Sequence, residues 1–211
     1  MNTYSKTIPL LIFLSFLSAC CPLTSVHPLS NPDKATFDDR LKGTWKLQKE
    51  GDTVFLHIGK LKDNKTQVVS IEHTDSGNLV TVAASMFPTE IKGNHFMNLN
   101  AIKVEFIEPS NEIPPDEGGY YFFKYNFKDK DSFSFSMINE NIVADAIKKG
   151  KLKGEIKKKP VRPNKGDIIK IEKIVCTSIT DSTENLVRFF RETPVNTLFP
   201  EKDSFLFKRV K

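Results

Sequence analysis

The chain has 211 residues, 39% of them hydrophobic and 27% charged, with a formal charge of +5, three cysteines and one tryptophan. That length fits one main domain behind a short leader, with no internal repeat and no second linker. With no Cys-x-x-Cys and only scattered His27, His57, His73 and His95, the sequence argues against a transition-metal site. The first element is apolar. A single cation, Lys6, precedes the run Ile8 to Ala19, which contains Pro9 and ends in small residues. About 20 apolar residues are needed to cross a bilayer, so this run is too short to span one and reads as a secretory signal peptide over residues 1–19.

The end of the run, Leu17-Ser18-Ala19-Cys20, resembles the lipobox of bacterial lipoproteins. The resemblance implies that the sulfur of Cys20 carries a diacylglycerol, that cleavage falls just before it, and that the chain is held on a membrane without a spanning segment. Acyl burial is worth about 0.8 kcal/mol per CH₂, and two chains give a stable anchor where one does not. Position two is Cys21 rather than aspartate, which in Gram-negative lipoproteins points to the outer membrane, facing the periplasm. Residues 20–36 follow with Pro22, Pro28 and Pro32, and are expected to form a flexible tether reaching at most roughly 55 Å. Oxidising compartments permit Cys21 and Cys176 to pair. The apolar setting Ile174-Val175-Cys176 instead favours a small buried thiol.

Residues 37–211 alternate as strands do. The expected strands are Gly43 to Lys49, Thr53 to Ile58, Gln67 to His73, Asn78 to Ala83, His95 to Leu99, Ala101 to Ile107, Tyr120 to Phe127, Ser132 to Met137, Ile168 to Thr177 and Ser204 to Val210. Ser132 to Met137 alternates strictly, and Tyr121, Phe123, Tyr125 and Phe127 form an all-aromatic stripe. A helix is expected from Asn139 to Lys149, stopped by Gly150, and a second after Asp181-Ser182-Thr183-Glu184 with Leu186, Phe189 and Phe190 inward. Many short strands and two short helices, one near the C-terminus, predict a mainly β domain: a single antiparallel barrel or a sandwich.

Gly43-Thr44-Trp45 on the first of these strands resembles the opening of lipocalins and related calycins. The resemblance implies an eight-stranded barrel whose end is closed by Trp45 stacked against an arginine, here Arg209, Arg188 or Arg191. It also implies a wall of Trp45, Tyr121, Phe123, Tyr125, Phe133 and Phe135 around an apolar ligand or lipid. Filling a core is the commoner use of such aromatics.

Positive charge concentrates in Lys148, Lys149, Lys151, Lys153, Lys157, Lys158 and Lys159, continuing to Arg162 and Lys165, and is expected on one helix end and a loop. Such a segment suits an anionic surface, each basic residue there being worth about 1 kcal/mol. Without interleaved aromatics it does not suit nucleic acid. The acid-rich stretch Glu108 to Gly119 lacks the alternating oxygen ligands of a calcium loop. No Gly-x-Ser-x-Gly, His-Glu-x-x-His or phosphate-loop motif is present, so no cofactor and no catalysis are expected. Two roles follow: a membrane-anchored, non-catalytic lipoprotein of the cell envelope with an apolar small molecule in its barrel, or a structural or assembly lipoprotein that contacts an envelope protein or anionic lipid through its surface.

Overall fold

The computed structural model describes residues 23–49, 52–60, 66–73, 79–100, 105–106, 119–160 and 172–211. The leader, Cys20, Cys21, most of the acid-rich stretch, Arg162 and Lys165 lie outside the described residues, as do parts of the strands expected at 101–107 and 168–177. In chain order the strands are β1 (Thr24–Ser25), β2 (Gly43–Lys49), β3 (Asp52–Lys60), β4 (Thr66–His73), β5 (Leu79–Ile91), β6 (Asn94–Asn100), β7 (Glu105–Phe106), β8 (Tyr120–Asp129), β9 (Ser132–Met137), β10 (Gly154–Pro160), β11 (Glu172–Ile179) and β12 (Ser204–Arg209). Helices are α1 (Glu140–Lys148), α2 (Thr183–Glu192) and the single turn α3 (Val195–Leu198).

Eight strands close a barrel. Each of β2, β3, β4, β5, β6, β8, β9 and β12 pairs antiparallel with the next, and β12 returns to β2. The up-and-down order leaves every barrel strand with two neighbours, which removes the exposed edges of an open sheet. Its period-two pattern puts Trp45, Leu47, Val54, Leu56, Ile58, Met97, Phe123, Tyr125, Phe133, Phe135 and Phe207 inside. β5 runs on past the expected end at Ala83 and contains Pro88. Its pairing with β4 stops at Met86, so Pro88 sits where the strand is bonded only to β6 and a missing N–H is tolerated.

A second core lies outside the barrel. Phe96 and Phe122, on the outer faces of β6 and β8, meet Val143 of α1, Leu186 and Phe190 of α2, and Phe199. Both long helices begin where expected. Asn139 Oδ1 accepts from Asn141 N at 3.1 Å, Ser182 Oγ accepts from Asn185 N at 3.4 Å, and Gly150 at φ 69° ends the first. Asp181 is buried and accepts from the backbone N–H groups of Lys153 and Ser182 and from Asn185 Nδ2 at 2.8 to 3.0 Å. Burial opposes its ionised form, but these three donors outweigh that cost and hold its pKa below the ordinary carboxylate value.

Three expectations are corrected. Residues 23–36 are packed rather than a flexible tether: Leu23 and Leu29 are buried, β1 is bonded on both sides, and Leu29 N donates to the buried Asn98 Oδ1 at 2.8 Å. Prolines keep the segment from forming a longer helix, leaving only the 3₁₀ turn Pro32–Lys34, and an extended coil can still bury an apolar residue every few positions. Residues 154–160, expected as a loop, form β10. It is an edge strand bonded to β11; Lys157 faces water there, a charge on an edge blocks further pairing, and a run of lysines hides the alternation that marks a strand. Cys176 is buried, as expected, but is disulfide-bonded rather than a free thiol.

Candidate functional site

The six residues expected to wall a ligand cavity share the barrel interior. Trp45, Phe123, Tyr125, Phe133 and Phe135 are buried and Tyr121 is half-buried. They pack on one another: Phe123 stacks on Phe135 with centroids 4.6 Å apart, Phe133 stacks on Phe207 at 5.3 Å, and Trp45 meets Phe133 edge-on at 4.7 Å. Such centroid separations are those of direct ring contact, leaving no room for a molecule between these faces. The stripe is core.

One end of the barrel is closed by a backbone-anchored arginine. The guanidinium of Arg209 lies 4.0 Å from the Trp45 ring centroid, while Nη1 donates to Lys42 O at 2.7 Å and Nη2 to Arg40 O at 2.8 Å. Trp45 Nε1 donates to Leu41 O at 2.7 Å, so the indole has no unsatisfied donor. The plug explains Gly43. Its φ is 132°, a region L side chains avoid, and a Cβ there would stand 2.7 Å from Arg209 Nη1. Among the three arginines consistent with the Gly-x-Trp resemblance, Arg209 is the one that covers Trp45. Comparison with family models, with curated proteins and with solved structures finds no match. The closed end therefore has to be interpreted from its own chemistry.

Beside this plug is a cleft of about 450 Å³, lined among others by Lys34, Asp38, Arg40, Glu90, His95 and Tyr125. From the sequence, Tyr125 is expected as an apolar wall residue, His95 only as a scattered histidine at a strand start, and none of the six as part of this cluster. Asp38 faces Arg40 in a two-pronged pair, Oδ1 to Nε at 2.9 Å and Oδ2 to Nη2 at 2.7 Å, and Oδ2 also accepts the Tyr125 hydroxyl at 3.1 Å. Burial opposes the Asp38 carboxylate, yet the hydrogen bonds and charge of Arg40, with the Tyr125 hydroxyl, hold its pKa below the ordinary value. Burial first, and the neighbouring Asp38 charge second, push the Tyr125 hydroxyl well above its ordinary value. The carboxylate stays charged and the phenol stays protonated near neutral pH. Neither is tuned to exchange a proton there, as general acid or base work requires. Arg40 also lies 4.7 Å over the Phe127 ring, and His95 stacks on Tyr125 at 5.5 Å. The group ties residues 38–40 to the closed end of the barrel.

The barrel wall carries a second cleft, of about 440 Å³, that sequence reasoning did not reach. β12 pairs with β2 only at Lys208↔Lys46 and Arg209↔Trp45, although Ser204 to Lys208 pair continuously with β9. Beyond Lys46 the two strands diverge, and Leu47, Gln48, Phe205 and Leu206 line the seam. Leu206, 39% exposed, is the apolar residue left facing water there. A strand pattern shows which residues share a face but not where two strands part.

Positive charge gathers elsewhere. Lys148 and Lys149 end α1, where cations complement the helix dipole, and Lys151, Lys153 and Lys157 follow; all five are exposed. Lys148 pairs with Asp145 at 3.4 Å. Lys158 and Lys159 continue β10 opposite Ile174 and Lys173 of β11.

Proposed function

We propose that the chain is a lipoprotein of the bacterial cell envelope, lipidated on Cys20, which acts without catalysis through its outer surface on an envelope protein or an anionic lipid face. Leu17-Ser18-Ala19-Cys20, the leader before it and the absence, among the described residues, of any helix long and apolar enough to cross a membrane are all in keeping with a lipid anchor. The ring contacts among Trp45, Phe123, Phe133, Phe135 and Phe207 support the surface reading: rings that occupy one another's contact distance compete directly with an apolar ligand. Exposed lysines at the end of α1, in the turn after it and at Lys157 of β10 supply a contact region in which positive charge is in excess over Asp145 and Glu155. The position after the lipid residue, Cys21, favours the outer membrane, on its periplasmic side.

Metabolic labelling with an alkynyl fatty acid tests the anchor: label on the wild type and none on Cys20→Ala is expected, with the variant leaving the membrane fraction. Photocrosslinking from positions 151, 153 and 157 in intact cells tests the surface. Trapping of one recurrent protein or of anionic lipid is expected. An apolar molecule co-purifying in native mass spectrometry, with no crosslinked species, would restore the ligand-carrier alternative.

A further inference from the structure

We propose that the seam between β2 and β12 is a docking site for an extended acidic segment of a partner protein, which enters it as a short added strand. The site lies apart from the lysines of α1 and β10 and depends neither on them nor on the lipid anchor.

The seam is a gap in an otherwise closed wall. Its apex is the pair Lys46↔Lys208, next to the Trp45 and Arg209 plug, and from there β2 and β12 part toward the opposite end of the barrel. Val210 N donates to Thr44 O and Arg209 N to Asp131 O, both at 2.8 Å, so the even-numbered residues of the two strands aim their backbone groups across the seam. Had the pairing continued, Gln48 and Leu206 would exchange two bonds. β3 and β9 occupy the far sides of the strands, and among the described residues Gln48, Ser204 and Leu206 have no backbone partner on the seam side. Two short edges therefore face each other across a cleft of about 440 Å³.

Such edges select a strand as their occupant. A segment running antiparallel to β2 and parallel to β12 exchanges two bonds with Gln48 through one residue and reaches Ser204 and Leu206 through the next. The reverse direction needs Lys46, whose seam-side groups already face Lys208.

Side chains set the composition of the segment. Leu47 and Phe205 approach the cleft from the inner face, where both join the barrel core, and the even-numbered residues approach it from the outer face. A residue bonded to Gln48 points outward, and its neighbours point inward at Phe205 and Leu47. Lys46 and Lys208 are the charged residues that line the cleft, and no acid does so among the described residues. Alternating acidic and apolar residues match this arrangement, the acids outward beside the lysines. An anionic lipid headgroup satisfies the lysines but leaves the backbone edges unbonded, and the same edge of a second copy brings lysine to lysine.

The full chain, exported by its own leader and purified in a neutral detergent, is titrated by calorimetry with a capped hexapeptide of alternating glutamate and valine. Saturable one-to-one binding is expected, about tenfold weaker when lysine replaces glutamate and lost when the two central amides are N-methylated. Lys46→Glu combined with Lys208→Glu, checked for folding by circular dichroism, should reverse the preference and favour the lysine–valine peptide. On the wild type alone, absence of saturable binding, or binding that survives N-methylation or ignores peptide charge, would overturn the proposal. Phosphatidylglycerol vesicles bound by the wild type but not by the double variant, with no peptide bound, would overturn it in favour of a lipid face. Dimerisation lost in the double variant, again with no peptide bound, would overturn it in favour of a second copy.

Discussion

Replacing Arg209 by methionine keeps most of the stem and removes the guanidinium that seals the barrel end. The loss comprises two short charge-assisted bonds to Lys42 O and Arg40 O, a long and weak one from Nε to Lys130 O at 3.3 Å, and the stacking over Trp45 at 4.0 Å. Hydrogen bonds to charged groups contribute ~1.5–3 kcal/mol when sheltered. The Arg209 side chain is 27% exposed, so water replaces part of each lost contact, and about 1 kcal/mol per short bond is the appropriate figure. A partly desolvated cation–π contact adds about 1 kcal/mol. The weak pair with Asp131, 3.9 Å away and at the surface, adds nothing that counts. Arg209→Met is therefore expected to cost about 3 kcal/mol, a fall in Tm of roughly 6–12 °C for a domain of this size. Urea and thermal unfolding of a leaderless Cys20→Ser protein measure it. A cycle with Trp45→Phe should show a coupling of about 1 kcal/mol, and Arg188→Met should stay within ~0.5 kcal/mol. A cost below about 1 kcal/mol for Arg209→Met, or full additivity with Trp45→Phe, would refute the plug.

Gly43→Ala should lower stability by ~2–4 kcal/mol through the unfavourable φ and the displaced guanidinium, and should lose most of that effect in the Arg209→Met background, as paired melts would show. Phe133→Ala is expected to cost about 4 kcal/mol because its ring is buried among four others; a cost near 1 kcal/mol in chemical denaturation would mean an already open interior. The folded pKa of Asp38 lies below its unfolded value, so its contribution is present above the ordinary carboxylate range and disappears as pH falls through the folded value. Melts from pH 7 downward should show a steeper acid decline for the wild type than for Asp38→Asn, and parallel declines would contradict the assignment. Asp181→Asn leaves one of three donors poorly satisfied in a buried site and should cost about 2 kcal/mol by urea titration.

The barrel strands were readable because each has one buried and one other face, and period two reports that contrast directly. Ser132 to Met137 and Gly43 to Lys49 coincide with β9 and β2 to the residue. Where burial does not alternate, the pattern fails. β10 is a lysine-rich edge, and β1 is two residues held by partners more than ninety positions away. The coil from Leu23 to Phe37 was hidden by its prolines, which report backbone stiffness and say nothing about burial. The Trp45–Arg209 contact was legible as a resemblance, whereas the Asp38, Arg40 and Tyr125 group was not. It is assembled from a turn and from a strand 87 residues later, and an interior tyrosine looks like any other apolar wall residue until its hydroxyl finds a partner.

The late position of β12 gives the barrel a particular order of completion. The wall from β2 to β9 is built from strands that pair in chain order apart from β7, but its two free edges meet only through Ser204–Arg209, after both long helices and β11. The Arg209 contact to Lys42 spans 167 positions, a loop whose closure entropy is met only at the last step. Until then β2 and β9 are open edges able to pair with another chain. A chain interrupted just before β12 would keep nearly all of its hydrophobic residues and still present those two edges, so loss of the final strand is expected to show as aggregation rather than as a modest drop in Tm.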